Sequence, residues 1–159
     1  SVFGVPIPVI IFLIFTVITY IMLNYMKFGK FIYAIGGNEN AAAVSGIPIQ
    51  KVKIIVYAYA GLLSAISAII LSSRINSGQP GLGLNYELDA IAAATVGGVS
   101  HSGGIGTIGG TFVGILIMGT LTNTMDLMNI SPYWQQVVRG AIIVAAVCID
   151  TYRKKRAVS

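Results

Sequence analysis

No charged residue occurs in positions 1–26, 54–73, 90–125 or 140–149 of the chain. The first three gaps are each long enough for an apolar helix to cross a bilayer, which takes about 20 residues. The fourth is too short unless its flanks are counted. In all, 9% of the 159 residues are charged and 55% are hydrophobic, whereas soluble domains run near 25% charged. So few charges cannot coat a soluble globule, and so apolar a chain is not disordered. Cys148 is the only cysteine, which excludes an intrachain disulfide. The solvent for most of this chain is lipid.

The charges that remain are sorted by position. Segment 27–53 holds Lys27, Lys30, Lys51 and Lys53 against Glu39, and the tail holds Arg153, Lys154, Lys155 and Arg156 against Asp150. By contrast, 72–89 carries Arg74 against Glu87 and Asp89, and 126–134 carries Asp126 alone. Basic flanks stay on the cytoplasmic side, which places 27–53 and the C-terminus inside and the acidic connections outside. The bases bound apolar runs instead of lining one soluble face, so the basic balance does not read as a nucleic-acid surface. The start, Ser-Val-Phe-Gly, has neither a Met nor a basic n-region, and reads as a piece of a longer chain beginning just before a span.

Along the chain, Pro6 and Pro8 suit a helix start, and 7–26 is apolar all round, predicting a spanning helix. Residues 27–52 read as a mixed polar loop punctuated by Gly29, Gly36, Gly37, Gly46 and Pro48. Within it, Asn38-Glu39-Asn40 before three alanines predicts a capped short helix that Gly46 stops. A second span is predicted at 53–71 and a polar turn at 72–86. An apolar run of about a dozen residues follows from Leu88 to Val99, too short for a straight crossing. Further spans are predicted at 105–125 and 133–149. With the basic loop and the basic tail both inside, an even number of crossings separates them, so the short 86–100 segment must supply the fourth. Irregular backbone at that depth is tolerated only against protein or water, which makes this broken helix the candidate to line a pathway. The expectation is an all-α polytopic membrane protein, about five crossings in one transmembrane domain over 1–159.

Each motif has a plain alternative. Gly104-Ile105-Gly106-Thr107-Ile108-Gly109 fits G-x-G-x-x-G, but it lacks the strand and the soluble βαβ unit that nucleotide binding requires. Gly106, Gly110 and Gly114, spaced by four, read instead as a small-residue face for close helix packing. His101 between Ser100 and Ser102 does not make a triad, since adjacent side chains point apart; a structural loop histidine is expected. Cys148 reads as an apolar packing residue. No His, Cys, Asp and Glu cluster has metal-ligand spacing, and no cofactor or catalytic set is expected. Glu87 and Asp89 beside Tyr86 either complement a helix N-terminus or form a polar rim contacting substrate or partner; Tyr86, Glu87, Asp89, Ser100 and His101 are the candidates to line the pathway. Arg139 either snorkels to the outer interface or faces an interior polar path.

Three stretches carry a resemblance: Gly36-Gly37-Asn38-Glu39 through Ala42, Ser45-Gly46-Ile47; Tyr86-Glu87-Leu88-Asp89-Ala90-Ile91-Ala92-Ala93; and Gly97-Gly98 with Ser102-Gly103-Gly104-Ile105-Gly106-Thr107 and Gly110. In this order and spacing the chain resembles the C-terminal half of monosaccharide ABC-importer permeases of the ribose/xylose/galactose branch. Ser131-Pro132-Tyr133-Trp134-Gln135 is most similar to the galactose/methyl-galactoside group. The resemblance implies a transport subunit rather than an enzyme, in a bacterial inner membrane. Its implied partners are a second permease copy in a homodimer, two cytoplasmic ATPase subunits, an external sugar-binding protein and a monosaccharide such as galactose or ribose. It also implies that loop 27–52 holds a coupling helix docking into the ATPase. There Ala41, Ala42 and Gly46 fit the importer pattern Glu-Ala-Ala-x3-Gly, while Glu39 lies one position early. A secondary transporter or channel would also use broken helices, but needs buried acids along its path, and the uncharged gaps count against it. An intramembrane enzyme would have only His101 as base.

Overall fold

A computed structural model describes residues 6–75, 78, 81 and 83–158; of 149, 150 and 153–158 only the backbone is described. Every described element is a helix: α1 (Ile7–Tyr25), α2 (Lys27–Gly37), α3 (Glu39–Val44), α4 (Ile49–Ile75), α5 (Tyr86–Val96), α6 (Ile108–Leu127) and α7 (Pro132–Val158). Among the described residues α1, α4 and α6 are long and apolar enough to cross a membrane. α7, with 27 residues, is about 40 Å long at 1.5 Å per residue. The chain is an all-helical, multi-pass membrane protein. It forms two compact units, 1–84 and 85–159.

In the first unit, α1 starts behind Pro6 and Pro8, whose missing N–H groups fall where a helix has no use for them. It ends at Met26, an extended residue that turns the chain into α2. Gly29 is buried against the backbone of Leu23, leaving no room for a side chain at this corner. Much of the polar loop expected at 27–52 is therefore helical. Gly29 permits close approach at the corner, and Gly36 and Gly37 do not break α2. α3 follows with Asn38 as N-cap, its side chain accepting from the Ala41 N–H at 3.0 Å. It closes in a Schellman turn: the Ile47 N–H donates to Ala42 O and the Gly46 N–H to Ala43 O, with Gly46 at φ +79°. α4 begins at Ile49, four residues before the expected start, because Pro48 opens the turn and its carbonyl accepts from the Val52 N–H at 3.1 Å. A hydrogen bond between Thr19 and Tyr59 hydroxyls, 2.7 Å, ties α1 to α4.

Of the polar turn expected at 72–86, Ser72–Ile75 extend α4, and Asn76, Ser77, Gln79, Pro80 and Leu82 lie outside the described residues.

In the second unit, α5 is short, as expected, and ends in another Schellman turn at Gly98, φ +85°. Ala92, Ala93 and Met118 form its buried centre, with Val96, Ile142 and Ile143 packed against them. α6 starts at Ile108, three residues later than expected, because the Thr107 side chain caps it by accepting from the Gly110 N–H. α7 runs beyond the expected end at 149, so the backbone of the basic tail is helical through Val158. The side chains of Arg153–Arg156 lie outside the described residues.

Candidate functional site

Two places concentrate polar or close-packed groups, one in each unit. In the first unit, α3 presents its outer face. Ala42 is buried beneath it, while Val44 stands 92% exposed at its end. Glu39 reaches across to Lys53 of α4, Oε1–Nζ 2.7 Å, with both side chains about half exposed. A solvated pair of this kind contributes at most about 1 kcal/mol, but it pins the N-terminus of α3 to the foot of α4. Ala41 supplies the capped N–H, and Gly46 stands open, with nothing within 4 Å of where a Cβ would lie. Glu39, Ala41, Ala42 and Gly46 thus share one short, firmly capped helix-turn.

In the second unit, α5 is held on two sides by different chemistry. Toward α6, the contact is backbone on backbone. A Cβ on Gly97 would lie 2.5 Å from Gly110 O and 2.6 Å from Thr111 Cα, and one on Gly114 would meet Ala93 O and lie 2.7 Å from Gly97 N. Real side-chain carbons do not approach so closely, so only hydrogen fits at these positions. Gly106 does not share this face: it precedes α6 and rests on the side chain of Val99. Of the three glycines expected on one helix surface, the structure brings Gly110 and Gly114 together against α5, with Gly97 as their counterpart.

Toward α7, an ionic contact stands beside the apolar packing of Ile142 and Ile143. Arg139 Nη1 lies 3.0 Å from Asp89 Oδ1, with Arg139 15% and Asp89 31% exposed. Arg139 Nη2 also donates to Gln135 Oε1 at 3.4 Å. The buried Gln135 side chain turns its Nε2 to Asp126 Oδ1 at 2.8 Å and to Ile130 O at 3.1 Å. Ile130 belongs to the turn ending α6, where Asn129 takes φ +54°, so Gln135 bolts the end of α6 to the start of α7. A polar chain, Asp89–Arg139–Gln135–Asp126, therefore links three helices. The structure turns Arg139 toward Asp89 of α5.

The five pathway candidates fall at the two ends of α5. Tyr86 and Glu87 are exposed and Asp89 turns inward at its start; Ser100 and His101 lie past its C-terminus. Eleven residues separate the ends, about 16 Å along the axis. His101 is exposed, with Nδ1 3.4 Å from Thr95 Oγ1, and Thr95 in turn donates to Ile91 O at 2.6 Å. Ser100 is buried, its N–H donating to Ile105 O at 2.9 Å and its Oγ accepting from the Ser102 N–H at 3.3 Å. Among the described residues no group of three or more His, Cys, Asp or Glu could hold a metal ion. Sequence reasoning assigned no role to Gln135 or Asp126. The available signal was their spacing: Gln135 and Arg139 are four apart on one helix face, beside an acid at the end of the preceding span.

Comparison with known proteins supplies what the geometry alone does not. A family model described as "Branched-chain amino acid transport system / permease component" matches residues 1–147. The chain is 50% identical over 154 residues to the ribose import permease protein of Bacillus subtilis (strain 168), covering 97% of this chain and 47% of that protein. It is 49% identical over 153 residues to the L-arabinose transport system permease protein of Escherichia coli (strain K12), covering 96% and 47%. It is 42% identical over 153 residues to the xylose transport system permease protein of Haemophilus influenzae, covering 96% and 41%. The chain thus spans somewhat less than half the length of these relatives. No solved structure matches it.

Proposed function

We propose, because the chain belongs to the permease-component family that matches residues 1–147, that it forms part of the membrane pathway of a binding-protein-dependent ABC importer. The cargo is a monosaccharide, and the chain itself carries out no covalent chemistry. One observation carries this reading: nearly the whole chain aligns at 42–50% identity with permeases named for three different sugars. The family description names branched-chain amino acids. Identity at that level to sugar permeases is the more specific finding, and it supports a sugar as the substrate class.

On this reading 1–159 is one transmembrane permease domain in a bacterial inner membrane, with its C-terminus in the cytoplasm, working as a homodimer. Two ATPase subunits supply the energy and an external sugar-binding protein delivers the cargo. Segment 27–52 is the coupling element, with Glu39, Ala41, Ala42 and Gly46 on the docking turn. Its short capped helix, pinned to α4 by Glu39–Lys53, is suited to pass a push from a soluble partner into a spanning helix. The seam of Gly110 and Gly114 against Gly97, and the polar groups at either end of α5, belong to the part that moves. The few polar groups on the spanning helices leave sugar selection to the external protein.

The test is reconstitution of the full-length permease with its ATPases and binding protein in proteoliposomes. Uptake and ATP hydrolysis are measured across ribose, arabinose, xylose, galactose and leucine. Uptake of one sugar that requires both ATP and the binding protein is expected. Uptake of leucine, or sugar uptake that persists without the ATPases, overturns the reading.

A further inference from the structure

We propose that Arg139 is a positioning residue of the transport cycle: through its ion pair with Asp89 it sets how the short helix α5 stands against α7. This rests on the importer reading above.

The pair does not behave like a stability device. Its members lie 3.0 Å apart, yet Asp89 Oδ1 and Arg139 Nε are both buried with no hydrogen-bond partner. Proximity gives Coulombic attraction here without aligned hydrogen bonds. A half-buried pair left in that condition contributes little to stability. Packing between α5 and its neighbours is already provided by Ala92, Ala93 and Met118 with Val96, Ile142 and Ile143. On the importer reading α5 and α7 both lie in the membrane, where ionisable groups are expensive to keep and pair with one another where they serve a function.

Position adds the second half of the case. On the α6 side, glycine backbones touch at Gly97, Gly110 and Gly114, and Met118 packs with Ala92 and Ala93. The α7 side carries a directional charge contact. Apolar contacts are non-directional, so of the contacts that hold α5 the ionic one is the one whose direction can specify a stance. Arg139 is itself oriented from behind, since its Nη2 rests on Gln135, whose amide is fixed by Asp126 and Ile130 O. The stance of α5 is thereby referred to the joint between α6 and α7.

The experiment uses the full-length permease, assembled with its ATPases and binding protein in proteoliposomes. The readouts are copurification, basal ATP hydrolysis and sugar molecules moved per ATP hydrolysed. For Arg139→Gln and Asp89→Asn, sugar moved per ATP should fall roughly tenfold, while copurification and basal hydrolysis stay within about twofold. The exchange Asp89→Arg with Arg139→Asp should recover at least about a third of the lost ratio, as coupled sites do in a double-mutant cycle. Arg139→Lys keeps the charge and loses the planar fork, and should lower the ratio in a complex that assembles normally. An unchanged ratio in both single variants overturns the proposal. So does a wild-type ratio in Arg139→Lys, including the case where the neutral variants fail to assemble, because the pair would then only hold the fold. Failure of the unaltered complex to import any sugar strikes the importer reading instead.

Discussion

Gly114 sits where α6 crosses the carbonyl of Ala93, and even a methyl group there has to displace one helix or the other. We expect Gly114→Ala to destabilise the full-length permease by about 1–3 kcal/mol, the usual range for overpacking, read as a lower thermal midpoint in detergent. Gly119, five residues further along α6, has nothing within 4 Å of a Cβ position. Gly119→Ala should be neutral, or stabilising by up to about 1 kcal/mol through helix propensity. Equal midpoints for the two variants would remove the claim of close approach. Gly46 poses the opposite problem, with open space but φ +79°. Asparagine tolerates that conformation, so Gly46→Asn should keep ATPase copurification near the wild-type level. Gly46→Arg, which puts bulk and charge on the docking turn, should abolish it, and normal copurification of the arginine variant contradicts the docking role. Spacing by four brought out Gly110 and Gly114 from sequence, because helical periodicity is local. It misplaced Gly106, since Thr107 starts the helix by a side-chain cap that periodicity does not register. The partner of Arg139 was not legible: Asp89 lies fifty residues away, and only packing brings them together.

Helices were legible where one strong local signal dominated. α1 follows from an uninterrupted apolar run behind two prolines, and α3 from Asn38 with three alanines before Gly46. α2 was missed because glycines at 29, 36 and 37 read as loop, whereas Gly29 is there to let the α1–α2 corner close. α4 and α7 run past their expected limits because the charged residues that bound an apolar stretch need not end a helix. Such residues mark where the lipid stops, while the hydrogen-bond ladder continues. At this scale Asn38 is the accessible test. Removing its side chain leaves the Ala41 N–H without its cap and should cost about 1 kcal/mol of local helix stability. We expect Asn38→Ala to raise amide hydrogen exchange over 39–44 severalfold (about fivefold per kcal/mol). Unchanged exchange there means that α3 is held by something other than its cap.

For the whole molecule, the sidedness of the tail is the most informative single observation. On the proposed topology 27–53 and the C-terminus share the cytoplasmic side, as basic flanks favour, and the short segment containing α5 then has to cross. In a full-length protein carrying Cys148→Ala and Ser159→Cys, an impermeant maleimide should label the new thiol only from the cytoplasmic face. Labelling from outside would remove the fourth crossing and the account of α5 as a broken span. The glycine seam beside α5 has a consequence for motion as well as for fit. Helices interlocked by large side chains must lift knobs out of holes before they shift, so their relative movement proceeds in steps. At Gly97, Gly110 and Gly114 there are no knobs to lift. Along that line α5 meets flat backbone, and what holds its position is the apolar contact with Met118, Ile142 and Ile143 together with its charged end, where one carboxylate and one guanidinium form a contact of fixed direction.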